Sequence, residues 1–130
     1  MSELDKEILE EFQNESKILI EKMGSILDNC EGDYSQVKGL EEYGQNVDRI
    51  MGAAKSLALL ADPTHMIHKI ADYSAICKAV GYKSSQIVNN NQFYDICVAL
   101  LMDGTEVLQI MIDNVSTGNS AVKELFSKTF

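Results

Sequence analysis

The two histidines are the residues of this chain whose type and spacing could most readily do chemistry. His65 and His68 are three residues apart, so a helix would place both on one face, where their ring nitrogens could bind a metal. No cysteine and no Glu-x-x-His pattern accompanies them, and polar residues at the solvated start of a helix are the favoured interpretation. We therefore expect neither a metal site nor another cofactor.

The three cysteines do not indicate chemistry either. Cys30, Cys77 and Cys97 are odd in number, widely spaced and without a C-x-x-C pair, which argues against zinc and against a disulfide framework. Cys77 and Cys97 fall on predicted apolar helix faces, so buried thiols in a reducing compartment are favoured over catalytic nucleophiles.

Composition limits the classes of function. The 130 residues carry 11 Lys and Arg against 20 Asp and Glu, a formal net charge of −9, and 45 % of the residues are apolar. These figures are typical of one globular domain, which we assign to residues 1–130. The acidic balance argues against nucleic acid and against an anionic membrane surface. No apolar run is long enough to span a membrane and the acidic N-terminus is unlike a signal peptide, so a cytoplasmic protein is expected.

The elements that must position these residues are helices, since apolar side chains recur at spacings of three and four almost throughout the chain. Ser2 with Asp5 resembles a capping box for the first helix. Asp33 can cap the second helix, which starts there or later. Asp62 followed by Pro63 is typical of an N-cap and a first helical residue, and predicts the start of the third helix.

Four glycines lie within or at the end of the predicted second and third helices. Gly39, Gly44 and Gly52 would each cost about 0.8–1 kcal/mol inside a helix relative to Ala. They therefore indicate either close approach of another helix or a later helix start. Gly81 is expected to cap the C-terminus of the third helix.

The fourth helix follows a polar loop over residues 82–91. Its predicted buried face includes Phe93, Cys97 and Leu100. A short fifth helix is expected at about residues 120–127, and no strand signal competes with the helical period. The predicted fold is all-α, an antiparallel up-down four-helix bundle with a short fifth helix.

Residues 48–56, D-R-I-M-G-A-A-K-S, look like the signature of histidine phosphotransfer (HPt) domains. They are most similar to the N-terminal phosphotransfer domain of chemotaxis-type histidine kinases, whose second helix reads roughly F-R-x-x-H-x-x-K-G. Residues 12–23 also resemble the opening helix of that family. The resemblance spans nearly the whole chain, but its motifs lie in two helices. It implies an HPt-like bundle in a two-component, phosphorelay or chemotaxis pathway, with a response-regulator receiver domain or a histidine kinase as partner.

The resemblance also implies roles for particular residues. Arg49 matches the Arg of the family, Lys55 matches the Lys that stabilises the phosphoryl charge, and Ser56 keeps a small side chain where the receiver approaches. The position of the phospho-accepting histidine is Gly52, which has no nucleophile. Ser74 falls near the position of the Glu that polarises this histidine. We therefore expect a pseudo-HPt module without catalytic residues, whose partner-binding residues are Arg49, Gly52, Lys55 and Ser56.

Two enzymatic alternatives are open. An active phosphotransfer protein would use a displaced acceptor, His68 or, less readily, His65. A receiver phosphatase of the helical-bundle kind would insert an acid and an amide from one helix, which Asp103 or Glu106 with Gln109 could imitate.

A third alternative is a generic helical adaptor or a homo-oligomerising bundle. Its interface would consist of exposed apolar residues instead of the second helix. The candidates for such exposed residues are Tyr34, Tyr43, Tyr82 and Phe130.

Overall fold

The structure is a computed structural model that describes residues 4–116. Over this range the chain forms four α-helices and no strand. The helices are α1 (Lys6–Cys30), α2 (Gly39–Ala58), α3 (Ile67–Ser84) and α4 (Asn91–Asp113), with a 3₁₀ turn at Tyr34–Gln36 between the first two. The predicted all-α fold is confirmed at this level. The fifth helix expected at about 120–127 lies outside the described residues.

The first two helices begin later than their capping signals suggest. Asp5, not Ser2, is the N-cap residue of α1, and its carboxylate accepts a backbone N–H of the first turn at 2.8 Å. Asp33 caps the 3₁₀ turn instead of α2, since its carboxylate accepts a backbone N–H of that turn at 3.1 Å. α2 therefore starts only at Gly39, the later of the two predicted possibilities.

The predicted start of α3 at Asp62 and Pro63 is wrong. Residues 61–66 form turns, in which the N–H of His65 donates to the carbonyl of Asp62 at 2.9 Å. The helix begins at Ile67, whose N–H donates to Nδ1 of His65 at 3.0 Å. The N-cap residue is Met66, whose side chain makes no capping hydrogen bond, so the first helical N–H finds its side-chain acceptor in His65, one residue before the cap.

Gly81 is not a helix cap, contrary to the prediction, but a buried residue within α3. A Cβ at this position would lie 3.0 Å from Cδ1 of Tyr43 and 3.3 Å from the carbonyl oxygen of Leu40. On the facing helix, a Cβ at Gly44 would lie 2.9 Å from Cε1 of Tyr82. These two glycines therefore let α2 and α3 pack in close contact, which is one of the two alternatives predicted for Gly44.

The four helices bury one shared core. Its largest fully buried side chains are Tyr43, Tyr94, Met23, Leu27, Leu40, Ile50, Met66, Ile67, Ile70, Leu101, Leu108 and Met111. The prediction that Tyr43 is exposed is wrong, because none of its surface is accessible. Its hydroxyl is 2.8 Å from Oγ1 of Thr105, so the polar end of this buried ring has a hydrogen-bond partner. Burial raises the pKa of the Tyr43 hydroxyl, which stays protonated.

The buried face of α4 is turned relative to the predicted one. Phe93 and Leu100 are exposed by 50 % and 56 %, whereas the next residues, Tyr94 and Leu101, are buried. Cys97 is buried as expected. The helix carries apolar residues on its core-facing side and also on one flank, so the spacing of apolar residues does not by itself indicate which side the bundle covers.

The three thiols are buried and unpaired, in agreement with the sequence prediction. Burial raises the pKa of Cys30, Cys77 and Cys97, and the thiolate needed for nucleophilic attack is therefore disfavoured at each. Of the helices in residues 4–116, none combines the length and apolar character needed to cross a membrane.

Candidate partner-binding face

The second half of α2 presents the predicted partner-binding residues on its exposed side. Arg49, Gly52, Lys55 and Ser56 are all exposed, and their spacing of three and four residues places them along one face of the helix. The opposite side of α2 is buried through Val47, Ile50 and Ala54. We call these four exposed residues the α2 face.

Gly52 is the central residue of the α2 face, and nothing in the packing accounts for it. An ideal Cβ at this position meets no atom within 4 Å, in contrast to the glycines packed against α3. A glycine in a helix interior costs about 1 kcal/mol relative to Ala. The helix therefore bears an unfavourable residue where a Cβ would meet no other atom, and its surface is flat at this point.

The α2 face is locally cationic in an acidic protein. Arg49 and Lys55 form no ion pair with any residue in the described part of the chain. The neighbouring acid, Asp48, is paired with Lys78 of α3 at 2.9 Å, and this hydrogen bond raises the pKa of the lysine. Two positive charges beside Gly52 are therefore available for an anionic partner, while the closest carboxylate on α2 is already neutralised.

An open groove between α1 and α2 borders the α2 face. One part of about 260 Å³ is lined by Arg49 together with Ile18 and Lys22 of α1, and a second part of about 250 Å³ reaches Ser56. Both parts share the side chain of Glu15. The groove gives a partner room to contact α1 while it covers the α2 face.

α3 has a serine, Ser74, near the position of the polarising Glu of HPt domains. Ser74, which aligns near the polarising Glu of HPt domains, is completely buried, and its hydroxyl has no hydrogen-bond partner within the described chain. Gly52 and Ser74 therefore do not supply the nucleophile and the polarising carboxylate that occupy these positions in HPt domains.

Both histidines hold the start of α3 in place and lie away from the α2 face in sequence. Nδ1 of His65 accepts the N–H of Ile67, and Nε2 of His68 lies 3.0 Å from the carbonyl oxygen of Asp62. Both side chains are half-buried. Burial, with a smaller contribution from the charge of His68, lowers the pKa of His65, so its imidazole is neutral and can act as an acceptor. Each imidazole ring therefore takes part in a hydrogen bond that holds the turn before α3 or its first residue.

The remaining sequence candidates lie elsewhere on the surface. Asp103, Glu106 and Gln109 are exposed on α4, and no Lys or Arg side chain pairs with either acid within the described residues. Tyr34 is 40 % exposed and donates its hydroxyl to Asp95 at 2.9 Å. Tyr82 is half-buried against Gly44, and Phe130 lies outside the described range. In residues 4–116 no three His, Cys, Asp or Glu side chains are grouped so that they could hold a metal.

Comparison with known proteins gives no further evidence. No family model matches the chain, and no significant match was found among curated proteins or among solved structures. The HPt interpretation therefore depends on the motif and on the geometry of α2.

Proposed function

We propose that this chain is a pseudo-HPt signalling module, whose α2 face binds a receiver domain or a histidine kinase without itself carrying phosphate. The observation that carries the proposal is the exposed Gly52 in α2, with open space above it. Arg49 and Lys55, one turn away on either side, pair with no acid of residues 4–116. The pathway would be a two-component, phosphorelay or chemotaxis pathway in the cytoplasm, where buried reduced thiols are stable.

An antiparallel up-down arrangement of the helices is part of this proposal. Gly44 faces Tyr82 and Asp48 pairs with Lys78, so contacts that advance along α2 go backwards along α3. The connections are also short, since eight residues separate α2 from α3 and six separate α3 from α4. Short connections favour antiparallel neighbours.

Binding without transfer follows from the chemistry of the α2 face. A receiver domain carries its phosphorylation aspartate in an acidic pocket, and two cations that approach this pocket would be attracted to it. Gly52 lets the partner backbone come close to α2, where a side chain would hold it away. Phosphoryl transfer needs an acceptor atom with a free electron pair at this position, and glycine offers none.

Affinity capture from a lysate of the source cells tests the proposed partner class. The wild-type chain is expected to retain a protein with a receiver or kinase domain. The Lys55→Glu variant is expected not to retain that protein, because the new carboxylate would be repelled by an acidic pocket of the partner. Lys38→Glu is the matched control, since Lys38 is also exposed and precedes α2. Equal retention by both variants would contradict the proposal.

A phosphorylation experiment tests the proposal that this chain does not accept a phosphoryl group. After incubation with ATP and histidine kinases, or with a small phosphodonor, the wild-type chain is expected to carry no acid-labile phosphate. Labelling that disappears in His68→Gln would instead show an active phosphotransfer protein with a displaced acceptor. The same chain with Gly52→Gln serves as a control for labelling at unrelated sites.

A further inference from the structure

The groove between α1 and α2 has two ends that differ in charge. Its first part, of about 260 Å³, is lined by both Lys22 and Arg49, and neither cation lines the second part, of about 250 Å³. The second part is lined instead by apolar side chains that the first part lacks, those of Ile8 and Leu57. We call the first part the basic end of the groove and the second part its apolar end.

The two ends are parts of one continuous groove. Both are lined by Phe12 of α1 and by Ala53 of α2, so the wall that joins them is apolar. Eight residues separate Ser16, at the basic end, from Ile8, at the apolar end, which corresponds to about 12 Å along α1. An extended ligand of this length would contact both ends.

Ser16 places a hydroxyl without a protein partner at the basic end. The residue lines the groove, and only 2 % of its surface is exposed. In residues 4–116 the only polar side-chain atom that is both without a partner and sealed from solvent is the hydroxyl of Ser74. The Ser16 hydroxyl forms no hydrogen bond within the same residues, so it keeps contact with the groove. A buried polar atom commonly has a partner, and the groove is where this hydroxyl would find one.

Lys22 and Arg49 make the basic end attractive to an anion. Both side chains are exposed, and neither pairs with an acid in the part of the chain that the structure describes. Glu15 lines both parts of the groove and therefore lies at their boundary, while Glu11 lines only the apolar end. A ligand with one negative group is thus oriented, because that group is attracted to one end and repelled from the other.

We infer that the groove between α1 and α2 binds a medium-chain fatty acid. Its carboxylate would lie at the basic end, where Lys22, Arg49 and the Ser16 hydroxyl can donate hydrogen bonds to it. Its alkyl tail would lie along Phe12 and Ala53 towards the apolar end, where it leaves water. Sites for small molecules commonly combine apolar walls with a few polar groups that fix the orientation of the ligand.

A bound fatty acid would also change the α2 face, because Arg49 belongs to both surfaces. The carboxylate would pair with Arg49 and leave Lys55 as the cation offered to a protein partner. The inference itself does not depend on the proposed function, since the groove would hold a fatty acid whether or not the α2 face binds a partner.

Titration of the isotope-labelled full chain with decanoate, below its micelle concentration, tests this inference through the amide chemical shifts. Two matched ligands are decyltrimethylammonium, which has a similar tail with a cationic head, and butyrate, which has the same head with a short tail. Decanoate is expected to bind once per chain, at least about tenfold more tightly than either, with its largest shift changes in residues 8–22 and 49–57. Equal binding of decyltrimethylammonium, or shift changes centred elsewhere, would overturn the inference.

Matched variants test the contacts of the carboxylate. Lys22→Gln and Ser16→Ala are each expected to weaken decanoate by about fivefold, because each removes a donor at the basic end. Lys38→Gln and Ser25→Ala are the controls, since both residues are exposed and line neither part of the groove, and their affinity is expected to be unchanged. Losses in the controls that equal those in the groove variants would overturn the inference.

A further variant tests the position of the tail. Ala53→Leu is expected to weaken decanoate by at least about tenfold, because the larger side chain occupies the groove where its two ends meet. Ala79→Leu, at an exposed position of α3, is the control and is expected to bind decanoate as the wild type does. Both changes introduce a good helix former. Unaltered affinity in Ala53→Leu would mean that the tail lies elsewhere, and would overturn the inference.

Discussion

In the first half of α2, Gly44 lies against the ring of Tyr82, whereas in the second half Gly52 has open space above it. The two glycines stand two turns apart in one helix and carry the same cost in helix propensity. At Gly44 the close contact with α3 offsets that cost, together with Gly81 on the facing helix. At Gly52 no packing contact offsets the cost in helix propensity. We therefore attribute the glycine to the binding of a partner.

The largest effect is expected from filling the packed contact. Gly81→Val should destabilise the chain by about 1–3 kcal/mol, because the new side chain would overlap the buried ring of Tyr43 and the carbonyl of Leu40. Gly52→Val is the matched control and should leave stability within about 0.5 kcal/mol. Urea denaturation of both variants measures the difference, and equal losses would break the contrast between the two halves of α2.

A side chain at Gly52 should affect binding more than folding. Gly52→Gln is expected to be at least as stable as the wild type, and to weaken binding of the receiver or kinase partner by about tenfold, or about 1.4 kcal/mol, because the amide occupies the space that the partner needs. Surface plasmon resonance with the captured partner measures this change. Unaltered affinity would mean that the flat surface at Gly52 has no role in recognition.

A smaller and opposite effect on stability is expected from Gly52→Ala. The substitution should stabilise the chain by about 0.5–1 kcal/mol, since it reduces the conformational freedom of the unfolded chain and creates no contact closer than 4 Å. Thermal and urea denaturation measure it. A loss of stability would show that the second half of α2 is not as unconstrained as its open surroundings indicate.

The smallest effect is expected from pH at the turn that follows the open half of α2. Burial holds the pKa of His65 below its ordinary value of 6.5, so the unfolded chain binds the proton first as the pH falls. This contribution to stability is complete above about pH 6.5 and is lost as the pH falls towards the lower folded pKa. His65→Asn, which can still accept the N–H of Ile67, should show a weaker pH dependence in urea denaturation from about pH 7.5 to 5.5. An identical dependence in the variant would contradict the role given to this imidazole.

Much of the helical fold can be predicted from the spacing of apolar residues, and its failures have physical causes. Tyr43 carries a hydroxyl, and only the tertiary contact with Thr105 makes its complete burial possible. Phe93 and Leu100 are predicted to be buried because α4 is apolar on one flank as well as on its core side. α3 begins after Met66 and not at Asp62, and His65 accepts its first N–H, which depends on how the preceding turn folds.

For the α2 face, the sequence predicts which residues are exposed but not which ion pairs they or their neighbours form. Arg49, Gly52 and Lys55 are exposed because the helical period buries Val47 and Ile50, which the sequence alone indicates. The ion pair of Asp48 with Lys78 joins residues 30 positions apart, and predicting it requires the level at which α2 and α3 pack.

The burial of all three native thiols makes the chain suited to a site-specific fluorescent reporter. Cys30, Cys77 and Cys97 account for every cysteine in the sequence, and each is shielded from a water-soluble maleimide. Gly52→Cys would add one accessible thiol where an attached dye meets no protein atom within 4 Å of the new Cβ. The emission of that dye would then report occupancy of the α2 face directly, in the intact folded chain and in real time.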